Sequence, residues 1–145
     1  MDGSDLTLPR HPSPEAVKAF EAAIAQCPQA CIPAQTFFGH GMVTRVILIP
    51  AGTALTGKKH RKGQHNVLVS GTIAVSTEAG IVELTGPEVV VSPPGTKRVA
   101  VALTDVIWST TVVCDAQDLE TAEADIVDPS DVLPPMAEGE TPCLG

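Results

Sequence analysis

Tyrosine is absent from the 145 residues, which include one tryptophan and three phenylalanines. A chain so poor in rings offers no platform on which bases could stack, and its sequence pI of about 4.8 argues against a broad basic face. A nucleic-acid partner is therefore not expected. No apolar run approaches the roughly 20 residues of a membrane span. The opening MDGSDLTLPRHPSPE lacks the basic and apolar regions of a secretory signal. These absences predict a soluble, cytoplasmic protein with no membrane partner. Cys27, Cys31, Cys114 and Cys143 form no CxxC pair, a weak zinc signal. In the absence of an export signal they read as reduced thiols, Cys114 packed as a small apolar residue and Cys143 free in the tail. There is no nucleophile elbow, phosphate loop or dinucleotide fingerprint, so hydrolase and kinase chemistry have no residues to stand on.

What is present is a foldable composition: 43% hydrophobic and 18% charged residues, with thirteen prolines and twelve glycines. It points to a single globular domain with many turns and a core of Val, Ile, Leu and Ala. Charge is segregated along the chain. From Asp115 onward there are nine acidic residues and no lysine or arginine, whereas the preceding part holds nine basic and eight acidic side chains and is nearly neutral. Six of those basic residues lie in two clusters, Lys58-Lys59-His60-Arg61-Lys62 and Lys97-Arg98, where an anion would be attracted.

Residues 1 to 12 read as a mobile polar arm. A helix follows, with Ser13 as N-cap, Pro14 in the first turn and Glu15 at the positive end of the dipole. Val17, Phe20 and Ile24 form its apolar stripe, and Pro28 ends it. From Met42 the pattern changes to seven β-branched runs: 42–49, 67–70, 72–77, 81–84, 89–92, 98–103 and 106–113. They are separated by turn signals such as Pro50-Ala-Gly and Pro93-Pro-Gly95, which predicts an antiparallel sandwich or barrel. Alternation places Val106, Trp108 and Thr110 on one face, with Trp108 in the core or at a subunit interface. Phe37-Phe38 reads as an exposed pair that packs the helix or forms a dimer contact. A short acidic helix is allowed after Ala116, and a disordered tail is expected beyond Asp128. The expected division is an arm and helix over 1–41, a barrel over 42–114 and an acidic, partly disordered tail over 115–145.

Across about residues 43 to 113 the chain resembles a small cupin, an RmlC-like jelly roll. Gly57, Lys58-Lys59-His60, His65 and Gly71 occupy the frame of the first cupin motif. Gly86, Pro93-Pro94-Gly95 and Arg98 occupy the second. Lys58 stands at the first histidine position, His60 at the second, His65 at the glutamate, and Arg98 at the final histidine. The chain also resembles short cupin-like proteins encoded by tailed bacteriophages, in Ile49-Pro-Ala-Gly-Thr, His60 to Asn66, Ser92 to Arg98 and Val106-Ile-Trp108.

The resemblance implies an all-β cupin barrel of seven or eight strands, with one N-terminal helix and an acidic C-terminal tail. The implied site places His60 and His65 as ligands of one divalent transition metal (Zn, Fe, Ni or Mn). His40, Gln64 and Cys114 are open candidates for further positions. Lys58, Lys97 and Arg98 would form a cationic rim for a small anionic ligand, Arg98 offering a planar fork for carboxylate or phosphate. The acidic tail is an alternative occupant of that rim. The expected function is binding of a metal, a small anion or both inside the barrel of a phage-encoded homodimer or larger homo-oligomer, in the host cytoplasm or the virion. The alternatives are a metal-dependent oxygenase, isomerase or lyase, and a structural protein of a virion.

Overall fold

A computed structural model describes residues 6–131. The order is α1 (Pro14–Ala25), β1 (Ala34–Gly39), β2 (Met42–Ile49), β3 (Ala54–Thr56), β4 (Gln64–Ser70), β5 (Thr72–Thr77), β6 (Gly80–Thr85), β7 (Glu88–Ser92), β8 (Val99–Ala102), β9 (Val106–Val113) and α2 (Leu119–Ile126). Two antiparallel sheets face each other as a jelly roll, a five-stranded one in the order β1-β2-β9-β4-β7 and a four-stranded one in the order β3-β8-β5-β6. The sheets are not joined by a closed ladder among the described residues, so the expected barrel is a two-layered sandwich. No described helix is long and apolar enough to cross a membrane.

Alternation decides which side chains meet between the layers. Leu68 of β4, Ile73 and Val75 of β5, Ala100 and Ala102 of β8, and Val106 are buried in one cluster, with Trp108 partly buried against them. Burying such residues is worth about 1.5–3 kcal/mol for each large aliphatic side chain. The strand β8 is buried at all four positions because α1 covers its other side. Val17 and Phe20 of the helix pack with Ala54, Ala74, Val99 and Val101 on the outside of the four-stranded sheet. Ser13 caps α1 by accepting from the amide of Ala16 at 3.2 Å, as its sequence predicts.

The turn glycine of the first motif has a steric reason. Gly71 has φ +92°, and a Cβ there would lie 2.1 Å from the carbonyl oxygen of Asp105. Its own carbonyl accepts from the amide of Gly86 at 2.9 Å, joining the two motif glycines.

Three expectations are corrected. The sheet begins at Ala34, not Met42, because β1 pairs with β2 in continuous register from Ala34↔Ile47 to Gly39↔Met42. The arm is docked from residue 6, since Leu8 is buried beside Phe20 and Ser76 Oγ donates to the carbonyl of Pro9 at 2.5 Å. The short acidic helix allowed after Ala116 forms as α2, with Ala122 and Ile126 buried against Val43, Val112 and Cys114; the tail from residue 132 lies outside the described residues. Cys27 and Cys114 are free and buried, but Cys31 is disulfide-bonded. Cys143 lies outside the described residues.

Candidate functional site

A cavity of about 400 Å3 lies between the two sheets. Its apolar walls include Ile47, Ile49, Ile73, Val75 and Trp108, and α2 covers one side with Leu119, Ala122 and Ile126. Into this apolar space the strands also send polar groups on their inward positions: Thr36 from β1, Arg45 from β2, Gln64 and Asn66 from β4, and Thr110 from β9. His60 and Arg98, from loops that precede β4 and β8, also line it, as do Lys58 and Glu123. The amide of Gly95 donates to the carbonyl of His60 at 2.8 Å, so the two motifs meet at this mouth as the resemblance implies.

A chain of hydrogen bonds fixes one wall. Trp108 Nε1 donates to Thr110 Oγ1 at 3.2 Å, whose hydroxyl donates to Asn66 Oδ1 at 2.8 Å. Asn66 Nδ2 donates to Ser92 Oγ at 2.9 Å, and Arg98 Nη2 donates to the same oxygen at 2.6 Å. Ser92 is 1% exposed, so the Arg98 fork is held from behind by a buried hydroxyl.

Three buried side-chain polar atoms lack a partner among the described residues: His60 Nδ1, Gln64 Oε1 and Arg98 Nε. All three belong to residues that line this cavity. Buried polar groups are normally satisfied, and leaving one unpaired costs about 1–3 kcal/mol. Burial pushes the Arg98 pKa down, but a guanidinium remains a cation at neutral pH. No carboxylate forms an ion pair with Arg98 or Arg45 among the described residues. The His60 pKa is lowered first by burial and also by the Lys58 charge, against the opposing influence of Gln64 and Asp131. The Gln64 carboxamide interacts with the imidazole, and its hydrogen bond opposes the lowering.

The lysines have a different fate. Lys97 is locked between Glu21 and Asp131 at 2.7 and 2.5 Å, its side chain only 13% exposed. Burial alone would lower its pKa, and the hydrogen bonds to Asp131 and Glu21 outweigh that and raise it. Lys58 pairs with Glu123 at 2.9 Å, Lys62 with Asp125 at 2.5 Å and Lys59 with Asp128 at 3.7 Å. Arg61 donates to the carbonyls of Ala124 and Asp125. Backbone bonds from Arg61 N to Ile126 O, 2.7 Å, and from Asp128 N to Lys59 O, 2.8 Å, complete the seam. The first basic cluster is thus the clasp for the acidic segment of the same chain. Lys58 and Lys97, expected at a cationic rim, are ion-paired, in line with the alternative in which the acidic segment occupies that rim; among the described residues Arg98 alone of the three keeps a charge without a counterion.

The histidine pair does not converge. His65 is exposed, between buried Gln64 and buried Asn66 on β4, and period-two alternation turns it to the outside of the sheet. His40 sits at φ +54° in the β1–β2 turn, and Cys114 is buried in the cluster beneath α2. Gln64 alone of these candidates shares the cavity with His60. The described residues bring together no group of three His, Cys, Asp or Glu side chains able to hold a metal. One imidazole beside two carboxamides is a poor donor set for a transition metal, which prefers several imidazole, thiolate or carboxylate ligands. The metal that the fold suggests does not fit these residues.

One cavity residue, Arg45, and one residue behind the wall, Ser92, were invisible as such from the sequence. Arg45 interrupts the inward series Val43, Arg45, Ile47, Ile49, and a charge on the apolar face of an alternating strand is the signal that would have found it. Ser92 carries no comparable mark; only the fold reveals its place behind Arg98.

No protein-family model and no curated protein matches the sequence. Among solved structures the protein is similar to an RmlC-like cupin from Shewanella frigidimarina NCIMB 400, 23% identical with a TM-score of 0.52, over 64% of this chain and 84% of that one. It is also similar to a salicylate 1,2-dioxygenase from Pseudaminobacter salicylatoxidans, 13% identical with a TM-score of 0.53, over 59% of this chain and 27% of the enzyme. KdgF from Halomonas sp. aligns at 18% identity and a TM-score of 0.50, over 61% and 85% of the two chains. At these identities the likeness establishes the fold: the protein is a cupin-fold jelly roll.

Proposed function

We propose that the protein binds a small, partly apolar carboxylate in the cavity between its sheets, with Arg98 as the anchoring group and Arg45 and His60 as further polar contacts. The observation that carries this reading is the convergence of the three unpartnered buried atoms, His60 Nδ1, Gln64 Oε1 and Arg98 Nε, on one apolar cavity. An apolar pocket with a few converging polar groups is the usual form of a small-molecule site. A carboxylate supplies the acceptor that Arg98 Nε lacks, and a hydroxyl or amide beside it would donate to Gln64 Oε1. An apolar body would fill the space between Ile47, Ile73 and Trp108. The reading is one of binding, because the described residues of the cavity include no nucleophile paired to a base and no metal-ligand set.

The test is thermal stabilisation by a panel of aromatic and branched aliphatic carboxylates, each compared with its amide. Acids are expected to raise the melting temperature and amides to do so far less, and Arg98→Ala should abolish the difference. Equal stabilisation of the Arg98→Ala protein would refute the assignment. Elemental analysis of untagged protein prepared without chelator should find no stoichiometric transition metal. A near-stoichiometric metal lost in His60→Ala would instead support the metalloenzyme implied by the family frame.

A further inference from the structure

The charges that line the cavity do not balance. Among the described residues its cations are Arg45, Lys58 and Arg98 and its carboxylate is Glu123. Lys58 and Glu123 cancel in their 2.9 Å ion pair. Two guanidinium charges are left over, in a chain whose net charge is −8, and neither has a carboxylate partner among the described residues. They stand at opposite ends of one wall. β2 carries Arg45 on the inward side between Val43 and Ile47, level with Thr110 of β9, and Thr110 is level with Asn66 of β4. Arg98 is fixed at the far end, because its guanidinium and the Asn66 carboxamide both donate to Ser92 Oγ. Ile47 and Trp108, paired two residues further along β2 and β9, give this wall its apolar part. Arg45 is solvent-exposed and Arg98 partly buried, so one charge marks the open end and the other the interior.

Resting on the carboxylate reading above, we propose that the ligand is a dicarboxylate, held by Arg98 in the interior and by Arg45 at the mouth, with an apolar body lying across Trp108. A single carboxylate would leave one guanidinium without a counterion; two neutralise the lining. Each guanidinium presents a planar fork that takes a carboxylate through two parallel hydrogen bonds. Thr36 of β1, level with Arg45 on its other side, brings a hydroxyl of the cavity lining to the same end. The span follows from the sheet. From β2 to β4 there are two strand spacings, about 10 Å, which is the distance the two carboxylates must cover. The contact at Arg45 is screened by water and salt, so it selects among acids that Arg98 already holds and does not supply most of the affinity.

Calorimetric titration of the full chain decides it, with suberate, a straight-chain dicarboxylate of about this span, and with its monoamide, which keeps the length and loses one charge. The proteins are the wild type, Arg45→Gln, Arg98→Ala and, as a control for overall charge, Lys18→Gln on the exposed side of α1. Arg45 is solvent-exposed, so its variant should fold, which circular dichroism verifies. The wild type and Lys18→Gln should bind suberate about fivefold more tightly than the monoamide, and the preference should shrink in high salt. Arg45→Gln should bind both compounds equally, with the affinity that the wild type has for the monoamide, and Arg98→Ala should weaken both. A wild type that binds the monoamide but gains nothing from the second carboxylate, or an Arg45→Gln protein that keeps the preference, would overturn the dicarboxylate and leave the role of Arg98 standing. A wild type that binds neither compound would overturn both.

Discussion

The two outer faces of the sandwich are made of similar residues and meet different fates. On the four-stranded sheet Ala54, Ala74, Val99 and Val101 are small enough to let α1 approach, and Val17, Phe20 and Leu8 bury them. On the five-stranded sheet Phe37, Val89 and Val91 stand more than half exposed. An apolar outward position therefore does not by itself tell whether a chain covers it. What distinguishes the two faces is side-chain size and the presence of a helix with a matching apolar stripe.

The largest predicted effect contrasts these faces directly. Phe20→Ala should cost about 3–5 kcal/mol in denaturant unfolding, because it opens a cavity in a closed layer. Phe37→Ala should cost no more than about 0.5 kcal/mol. Comparable losses would break the comparison. Next comes the buried cluster that ties the covered side to the C-terminal segment. Lys97→Met leaves the carboxylates of Glu21, which also accepts from Thr56 Oγ1 at 2.9 Å, and Asp131 buried without their cation. The expected loss is about 3 kcal/mol, and adding Glu21→Gln and Asp131→Asn should recover part of it.

The pH dependence of the same cluster has a definite sign. Asp131 is held below its ordinary pKa of 3.8 by Lys97 and the Lys59 amide, despite burial. Its contribution is present above pH 3.8 and is lost as the pH falls through the lower folded value. Lys97 is raised above 10.5, so its contribution is present below that pH and lost as the pH rises further. His60 is lowered from 6.5, so the unfolded chain binds its proton first and stability declines as the pH falls below 6.5 until the folded imidazole also titrates. His60→Gln should flatten that part of the melting-temperature profile; an unchanged slope would remove His60 from the account. The smallest effect belongs to the exposed clasp of α2. Lys58→Gln and Lys62→Gln should each cost at most about 1 kcal/mol, and the difference from wild type should shrink in high salt.

The sequence was most legible where alternation was regular. The strands 42–49, 72–77 and 106–113 have in the structure the ends that their β-branched runs indicate, and Ser13-Pro14 begins α1 as expected. β3 escaped because three residues carry no periodicity. β1 escaped because Phe37-Phe38 reads as a pair, although the two side chains point to opposite faces, Phe38 inward beneath α2 and Phe37 outward. The cavity lining was half legible. Arg98 and His60 were found through the motif frame, but His65 was misplaced by a boundary: with β4 expected to start at Val67, His65 was free to converge with His60, whereas a strand beginning at Gln64 fixes it outside. The pairing of the basic cluster with the acidic segment was written in the charge segregation, but which cation would remain unpaired depended on where α2 lands.

Arg98 is a cavity cation that lacks a carboxylate partner among the described residues, and its proposed role is to anchor an anion. Calorimetric titration of the best carboxylate from the panel into the wild type and Arg98→Ala tests it most directly. A hydrogen bond to a charged group contributes about 1.5–3 kcal/mol, so Kd should weaken by about ten- to 150-fold in the variant. An unchanged Kd would contradict the account.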